Sequence, residues 1–320
     1  MASNSTEGEG SFAYLASFSD AEAGIAALEL RSIAGAELHG RVARSSVAYD
    51  VSPAAYTRFV MSVLAEAASF RELREKVAGL ALNADAFRVD VIRVPPRPVL
   101  DTVEAAKQLA DVISGSVNLC KPVARFAVLA AQGRFLFGRV VSVARRDWHD
   151  AGQRPHNFSN SLPVRLARAL VNCVAVAGDT LVDPCCGVGT VLIEACRTGV
   201  RATGFDIHPR RVEQTGENLA ALGCTASVTR WDARKLPDIG HRWDAAVIDL
   251  PYGRSSSADD ELYADIVSAV ARCARRMAVV TGADKGNLWQ AIGLRELGFA
   301  RVPAATLTRH VYLLAGSAAG

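Results

Sequence analysis

The chain has 320 residues, the length of about two domains, and 50% of them are hydrophobic, which supports buried cores and excludes a disordered protein. Its 36 basic and 33 acidic side chains leave a net charge of +3, too even a balance to mark a nucleic-acid binder by itself. No apolar run of about 18 residues occurs, which excludes a membrane span of the helical kind, and residues 1–10 carry Glu7 and Glu9 without a basic cluster or apolar core, so they read as a tail rather than a signal peptide.

A cytoplasmic protein is the expectation, and its seven cysteines fit reduced thiols. None forms a Cys-x-x-Cys pair, so no metal site or disulfide framework is expected.

In chain order, helical spacing at Asp20 to Ile33 and Ala54 to Leu73 alternates with strand-like pieces at Val42 to Val51 and Phe87 to Val94, an α+β pattern. Pro95, Pro96 and Pro98 break the chain. A helix is then predicted over Thr102 to Ile113, and a strand pair over Phe126 to Ala130 and Phe135 to Val143, turned by Gln132 and Gly133.

The polar stretch from Arg145 to Leu162 is a domain boundary. Ser161 is placed to cap the following helix, whose Leu166, Leu170 and Val174 recur along one face. Between Lys121 and Arg154 seven basic residues face only Asp147 and Asp150; Lys121, Arg125, Arg139, Arg145, Arg146 and Arg154 are the candidates for phosphate contact, against the alternative of a solvated strand face and linker.

Beyond Asp179 apolar runs alternate with helical stretches: Thr180 to Val182, Ala202 to Phe205, Ser227 to Trp231, Ala245 to Ile248 and Ala278 to Thr281. This alternation predicts an α/β domain with a parallel sheet covered by helices. Runs at Arg301 to Ala304 and Leu307 to Ala315 predict a closing hairpin at the sheet edge.

The first of these strands leads into Asp183, Pro184, Cys185, Cys186, Gly187, Val188, Gly189 and Thr190, and then into an apolar helix. Gly187 and Gly189 permit positive φ and close backbone approach at the carboxyl end of a parallel strand, where such sheets bind ligands. The loop has neither the third glycine of a dinucleotide fold nor the lysine of a P-loop. Instead Asp206 ends the next strand and Asp232 follows the one after.

An acidic loop opening at Asp183 suits a cationic amino-acid group, Asp206 suits a ribose, and Asp232 suits an adenine amine; Ile207 and Ala233, which follow the last two, are further candidate cofactor contacts. Those parts make up S-adenosylmethionine. The adjacent cysteines read as space-filling. A fourth strand end delivers Asp249, Leu250, Pro251 and Tyr252, a carboxylate, a backbone carbonyl and an aromatic ring suited to holding a planar amine in line with a methyl donor.

On these residues the sequence resembles class I S-adenosylmethionine-dependent methyltransferases of the amino-methylating Asp/Asn-Pro-Pro-Tyr type. Asp183 to Thr190 matches the first motif and Asp249 to Tyr252 the catalytic motif. Within that class it resembles the THUMP-containing tRNA guanosine N2-methyltransferases, through Arg154-Pro155 with Ser161 to Val174, through Asp183 to Ala195, and through Val117 to Arg139.

The resemblance implies a Rossmann-like, mostly parallel seven-stranded domain over 163–320. Before it would come a tail over 1–10, a ferredoxin-like module over 11–85, a THUMP-like RNA-binding domain over 86–145 and a linker over 146–162. It further implies tRNA as partner, a guanosine in the region of nucleotide 6 or 10 as target, and no metal; some members of the family work with a small activating subunit. The alternatives are an adenine-N6 methyltransferase of nucleic acid, or a tRNA-binding protein that keeps the fold without turnover. Leu250 departs from the commoner proline, and His208 from an acid often found after the second strand.

Overall fold

The computed structural model describes residues 11–95, 99–131, 133–147, 154–158, 161–251, 257–303 and 308–317. The tail over 1–10, Pro96, Pro98, Gln132, Gly152, Asn160 and Tyr252 lie outside the described residues. Two units emerge, and they do not follow sequence order: residues 18–33 and 53–56 group with 145–320, while 1–17, 34–52 and 57–144 form the other unit. The last change from one unit to the other falls between residues 144 and 145, at the start of the polar stretch from Arg145 to Leu162.

In the first unit β1 (Phe12–Ala16) is followed by α1 (Ala23–Ala34), most of which belongs to the second unit, and then by β2 (Leu38–His39), β3 (Val42–Ser45) and β4 (Thr57–Ala67). Next come α2 (Phe70–Gly79), β5 (Phe87–Arg93), α3 (Thr102–Ala110), β6 (Ala124–Ala131) and β7 (Arg134–Val143). One seven-stranded sheet, β2-β3-β1-β4-β7-β6-β5, takes strands from both sides of the division expected between residues 85 and 86. Among the described strands of this sheet only β5 and β6, joined through α3, pair in parallel.

The helix expected over Ala54 to Leu73 is overturned: Thr57–Ala67 is a strand, hydrogen-bonded to β1 on one side and β7 on the other. Cross-strand pairing outweighs the helix-forming Met61, Leu64, Ala65 and Glu66, while Thr57, Phe59, Val60 and Val63 suit a pleated surface. The helix starts only where Ser69 caps it by accepting from the Glu72 amide at 3.2 Å. Val42 to Val51 likewise contracts to the four-residue β3.

The second unit holds α4 (Val164–Val174), β8 (Thr180–Asp183), α5 (Thr190–Arg197), β9 (Arg201–Asp206), α6 (Pro209–Ala221), β10 (Ser227–Arg230) and β11 (Trp243–Asp249). It closes with α7 (Ser257–Ala271), β12 (Ala274–Thr281), α8 (Gly286–Ala291), β13 (Arg295–Pro303) and β14 (Thr308–Ala315). The strand order is β10-β9-β8-β11-β12-β14-β13, parallel through β12. The expected hairpin forms, with β14 wedged antiparallel between β12 and the edge strand β13. No helix among the described residues is long and apolar enough to cross a membrane.

Two buried charges tie this unit together. Glu29 of α1 is fully buried and accepts from the amides of Ala55 and Tyr56 and from Asn172 Nδ2 of α4, each at 2.7 Å. Arg168 of α4, also fully buried, donates to Glu194 of α5 at 2.6 Å and to Asp147 at 3.0 Å. These partners explain why α4 is buried all round from Leu166 to Val174 yet carries an arginine and an asparagine. Ser161 does not cap α4; Pro163 occupies that position and makes no side-chain cap bond.

Candidate cofactor and acceptor site

Because β8, β9, β10 and β11 run parallel, their carboxyl ends open onto one edge of the sheet, and the strand order reverses between β8 and β11. At that edge lies a pocket of about 670 Å³, within the range of small-molecule sites. Asp183, Pro184, Cys185, Gly187, Thr190, Asp206, Ile207, Asp232, Ala233, Asp249, Leu250 and Pro251 all line it. Gly189 shapes the loop without lining the pocket, and Tyr252 lies outside the described residues.

The loop after β8 is set by its glycines and by α6. Gly189 sits at φ +83°, and a Cβ there would lie 2.8 Å from the Thr215 methyl, so both backbone conformation and space demand glycine. Thr215, fully buried, donates its hydroxyl to the Gly187 carbonyl at 2.7 Å, and Asn218, also fully buried, donates to the Val188 carbonyl at 2.9 Å. Asn218 also exchanges bonds with the backbone of His156, at 2.9 and 3.0 Å, drawing the segment before α4 onto the loop. Sequence reasoning missed Thr215 and Asn218. Their spacing of three on an otherwise charged helix, placing two polar groups on its inner face, was the available signal.

Asp206 has a shared role. One carboxylate oxygen accepts from the Gly187 amide at 3.0 Å and the other from the His208 amide at 2.9 Å, so it joins the loop to the start of α6. Each oxygen keeps a lone pair for a ligand. His208 is the N-cap residue of α6, with Pro209 in the first turn, as expected.

Asp232, while lining the pocket, also caps the 3-10 helix Ala233–Ile239, and its two oxygens accept from the Arg234 guanidinium at 3.1 and 2.7 Å, a bond that holds its carboxyl below the usual range. Arg154 is corrected. It is buried rather than presented to phosphate, and it donates to the Thr190 hydroxyl at 2.7 Å and to Asn157.

The other basic candidates fall in two units: Lys121, Arg125 and Arg139 in the first, Arg145 and Arg146 in the second. Lys121, Arg139, Arg145 and Arg146 are exposed. Arg125 is bonded to Asp90 at 2.9 Å, and Arg145 reaches the Arg197 carbonyl at 3.3 Å.

Burial pushes the Asp183 carboxyl well above the usual range; the Cys185 amide opposes this, and the charges of Asp249 and Asp206 add to it. Burial, reinforced by the Asp183 charge, also pushes the Cys185 and Cys186 thiols up, which disfavours thiolates and fits a space-filling role. At the rim, Arg211 stacks its guanidinium 3.6 Å from the centre of the Phe158 ring, and both line the pocket. The arrangement is an anionic, partly apolar cleft with a backbone loop on one side and Asp249 on the other.

Residues 151–309 match the family described as UPF0020, RMKL-like, methyltransferase domain. A tRNA (guanine(10)-N2)-dimethyltransferase of Methanothermobacter thermautotrophicus is 41% identical over 151 residues, 45% of this chain and 44% of that protein. A second of that name from Pyrococcus abyssi is 28% identical over 235 residues, 68% of this chain and 71% of that one. The chain thus spans under half the length of the first relative. Among solved structures, TrmN from Thermus thermophilus has the same fold, with a TM-score of 0.51 and 20% identity over 96% of this chain and 99% of that one. Over residues 151–309, a little under half of its length, the chain is thus similar to the methyltransferase domain of the UPF0020, RMKL-like family.

Proposed function

We propose that the protein transfers methyl groups from S-adenosylmethionine to the exocyclic N2 amine of a guanosine in tRNA. The observation that carries this is the convergence of Asp183, Asp206 and Asp249 from three parallel strand ends on one pocket, with no cation paired to Asp183 among the described residues. A cleft in which carboxylates raise one another's pKa favours a cationic ligand. That fits the sulfonium and ammonium groups of the cofactor.

Asp183 and the loop through Thr190 would hold the amino-acid end, Asp206 the ribose, and Ile207 and Ala233 the base. The bound cofactor supplies an electrophilic methyl group. Asp249 and the Leu250 carbonyl accept from the guanine amine and orient its lone pair; as positive charge develops on nitrogen, the anionic Asp249 stabilises it. Leucine is tolerated at 250 because its side chain, 1% exposed, packs into the core and only its carbonyl is asked for. Tyr252 would stack on the base, which must leave its helix to enter the pocket.

The names of the relatives support guanosine 10 and two successive methylations. The first unit, with Lys121 and Arg139 exposed, would grip the tRNA. The test is mass spectrometry of nucleosides from unmodified tRNA incubated with the protein and isotopically labelled cofactor. Labelled N2-methyl- and N2,N2-dimethylguanosine are expected; labelled N6-methyladenosine would replace the proposal with an adenine methyltransferase.

A further inference from the structure

We infer that Tyr263 of α7 is a positioning residue for the acceptor motif that begins at Asp249, an inference that rests on the function proposed above. The chain leaving β11 is gripped twice. The Leu250 amide donates to the Val280 carbonyl of β12 at 3.1 Å, and the Pro251 carbonyl accepts from the Tyr263 hydroxyl at 2.5 Å. Pro251 has no N–H and its ring fixes φ, so ψ is its remaining backbone freedom and its carbonyl its only backbone hydrogen-bonding group. The Tyr263 bond fixes that carbonyl, and with it the ψ of Pro251.

Tyr263 is itself held. It is 6% exposed within the core beneath the pocket, and the Lys285 ammonium lies 6.0 Å from its ring centre while bonding Asp260, nearly one turn earlier on α7. The Lys285 amide in turn donates to the Tyr312 hydroxyl at 2.8 Å, which donates to Asp284 at 2.7 Å. A tyrosine serving only as filler would satisfy its hydroxyl anywhere. This one spends it on a carbonyl of a residue that lines the pocket beside Asp249.

Tyr263→Phe keeps the ring and removes the bond. The expected result is a fall in kcat of about ten- to a hundredfold, the scale of misplacing an acceptor by roughly 1 Å, with cofactor Kd and cofactor KM within about twofold of wild type. Hydrogen exchange of the unliganded protein, a readout independent of turnover, is expected to quicken at the Leu250 amide. Unchanged kcat and unchanged exchange would overturn the inference. So would a parallel loss of kcat, cofactor affinity and melting temperature, which would make Tyr263 a core residue only. Wild-type protein that methylates no nucleoside while exchange still quickens in Tyr263→Phe would refute the proposed function and leave the backbone latch standing.

Discussion

The two seven-stranded sheets treat their acidic residues in opposite ways. In the first, antiparallel strands bring charges of opposite sign together on a face: Glu66 on β4 accepts from Arg134 of the neighbouring β7 at 2.6 Å and, across β1, from Arg44 of β3 at 3.3 Å, and the Arg134 bond holds its carboxyl below the usual range. In the second, β8, β9 and β11 run the same way and end together in aspartates, so burial and then neighbouring negative charge push Asp183 up. A sheet whose strands end at one edge accumulates the charge that an antiparallel face neutralises in pairs. Ligand chemistry belongs at the edge where charge is concentrated.

The largest effect is expected where a charge of the second unit is buried and paired. Arg168→Met would strand Glu194, whose other cation, Arg197, is 3.6 Å away, and should cost about 3–5 kcal/mol in urea unfolding, with much of it regained in Arg168→Met/Glu194→Met. A single-mutant loss under about 1 kcal/mol would mean that the pair is not desolvated. Next, Asp249→Ala should lower turnover at least about a hundredfold and leave cofactor binding in place; near-normal turnover ends its assignment.

Asp183→Asn should weaken cofactor binding roughly ten- to a hundredfold, the scale of a lost hydrogen bond to a charged group. The sign of its pH dependence is fixed by the raised pKa. A cation needs the ionised carboxylate, so wild-type affinity should tighten as pH rises through the elevated titration, and calorimetry should find this slope absent in Asp183→Asn. For folding, the native chain keeps this proton to higher pH than the unfolded chain, so its contribution is largest at low pH and lost as pH rises through the folded pKa.

Glu66 has the opposite sign: its contribution is present above the unfolded pKa and lost as pH falls through the lowered folded value. The smallest effect is expected there. Arg134→Ala should cost under about 1 kcal/mol and vanish in high salt. A cost equal to that of Arg168→Met would erase the contrast between the sheets.

The strand ends of the second unit were legible because parallel strands write their ligand residues at fixed places, each just after a short apolar run. Asp183, Asp206 and Asp249 therefore reach one pocket as expected. Asp232 reaches it too, but spacing alone could not show that a neighbouring cation, Arg234, already pairs with its carboxylate. Arg154 failed for a related reason: a charged residue in a polar stretch looks exposed until Thr190, 36 positions away, is found beside it. β4 was masked by helix-forming residues, although Ser69 and Glu72 already spelled a helix start at its end. The assignment of α1 to the second unit was not legible at all, since its main tether joins Glu29 to Asn172 across 143 positions.

That tether orders events during synthesis. At about 5–20 residues per second, Asn172 follows Glu29 from the ribosome by roughly 7–30 s, an interval in which α1 lacks that partner while β2 to β7 of the first sheet are being made. The second unit therefore closes last around a helix made nearly first. A fragment cut at residue 145 to isolate it would discard α1 and residues 53–56, leaving Asn172 without its carboxylate partner.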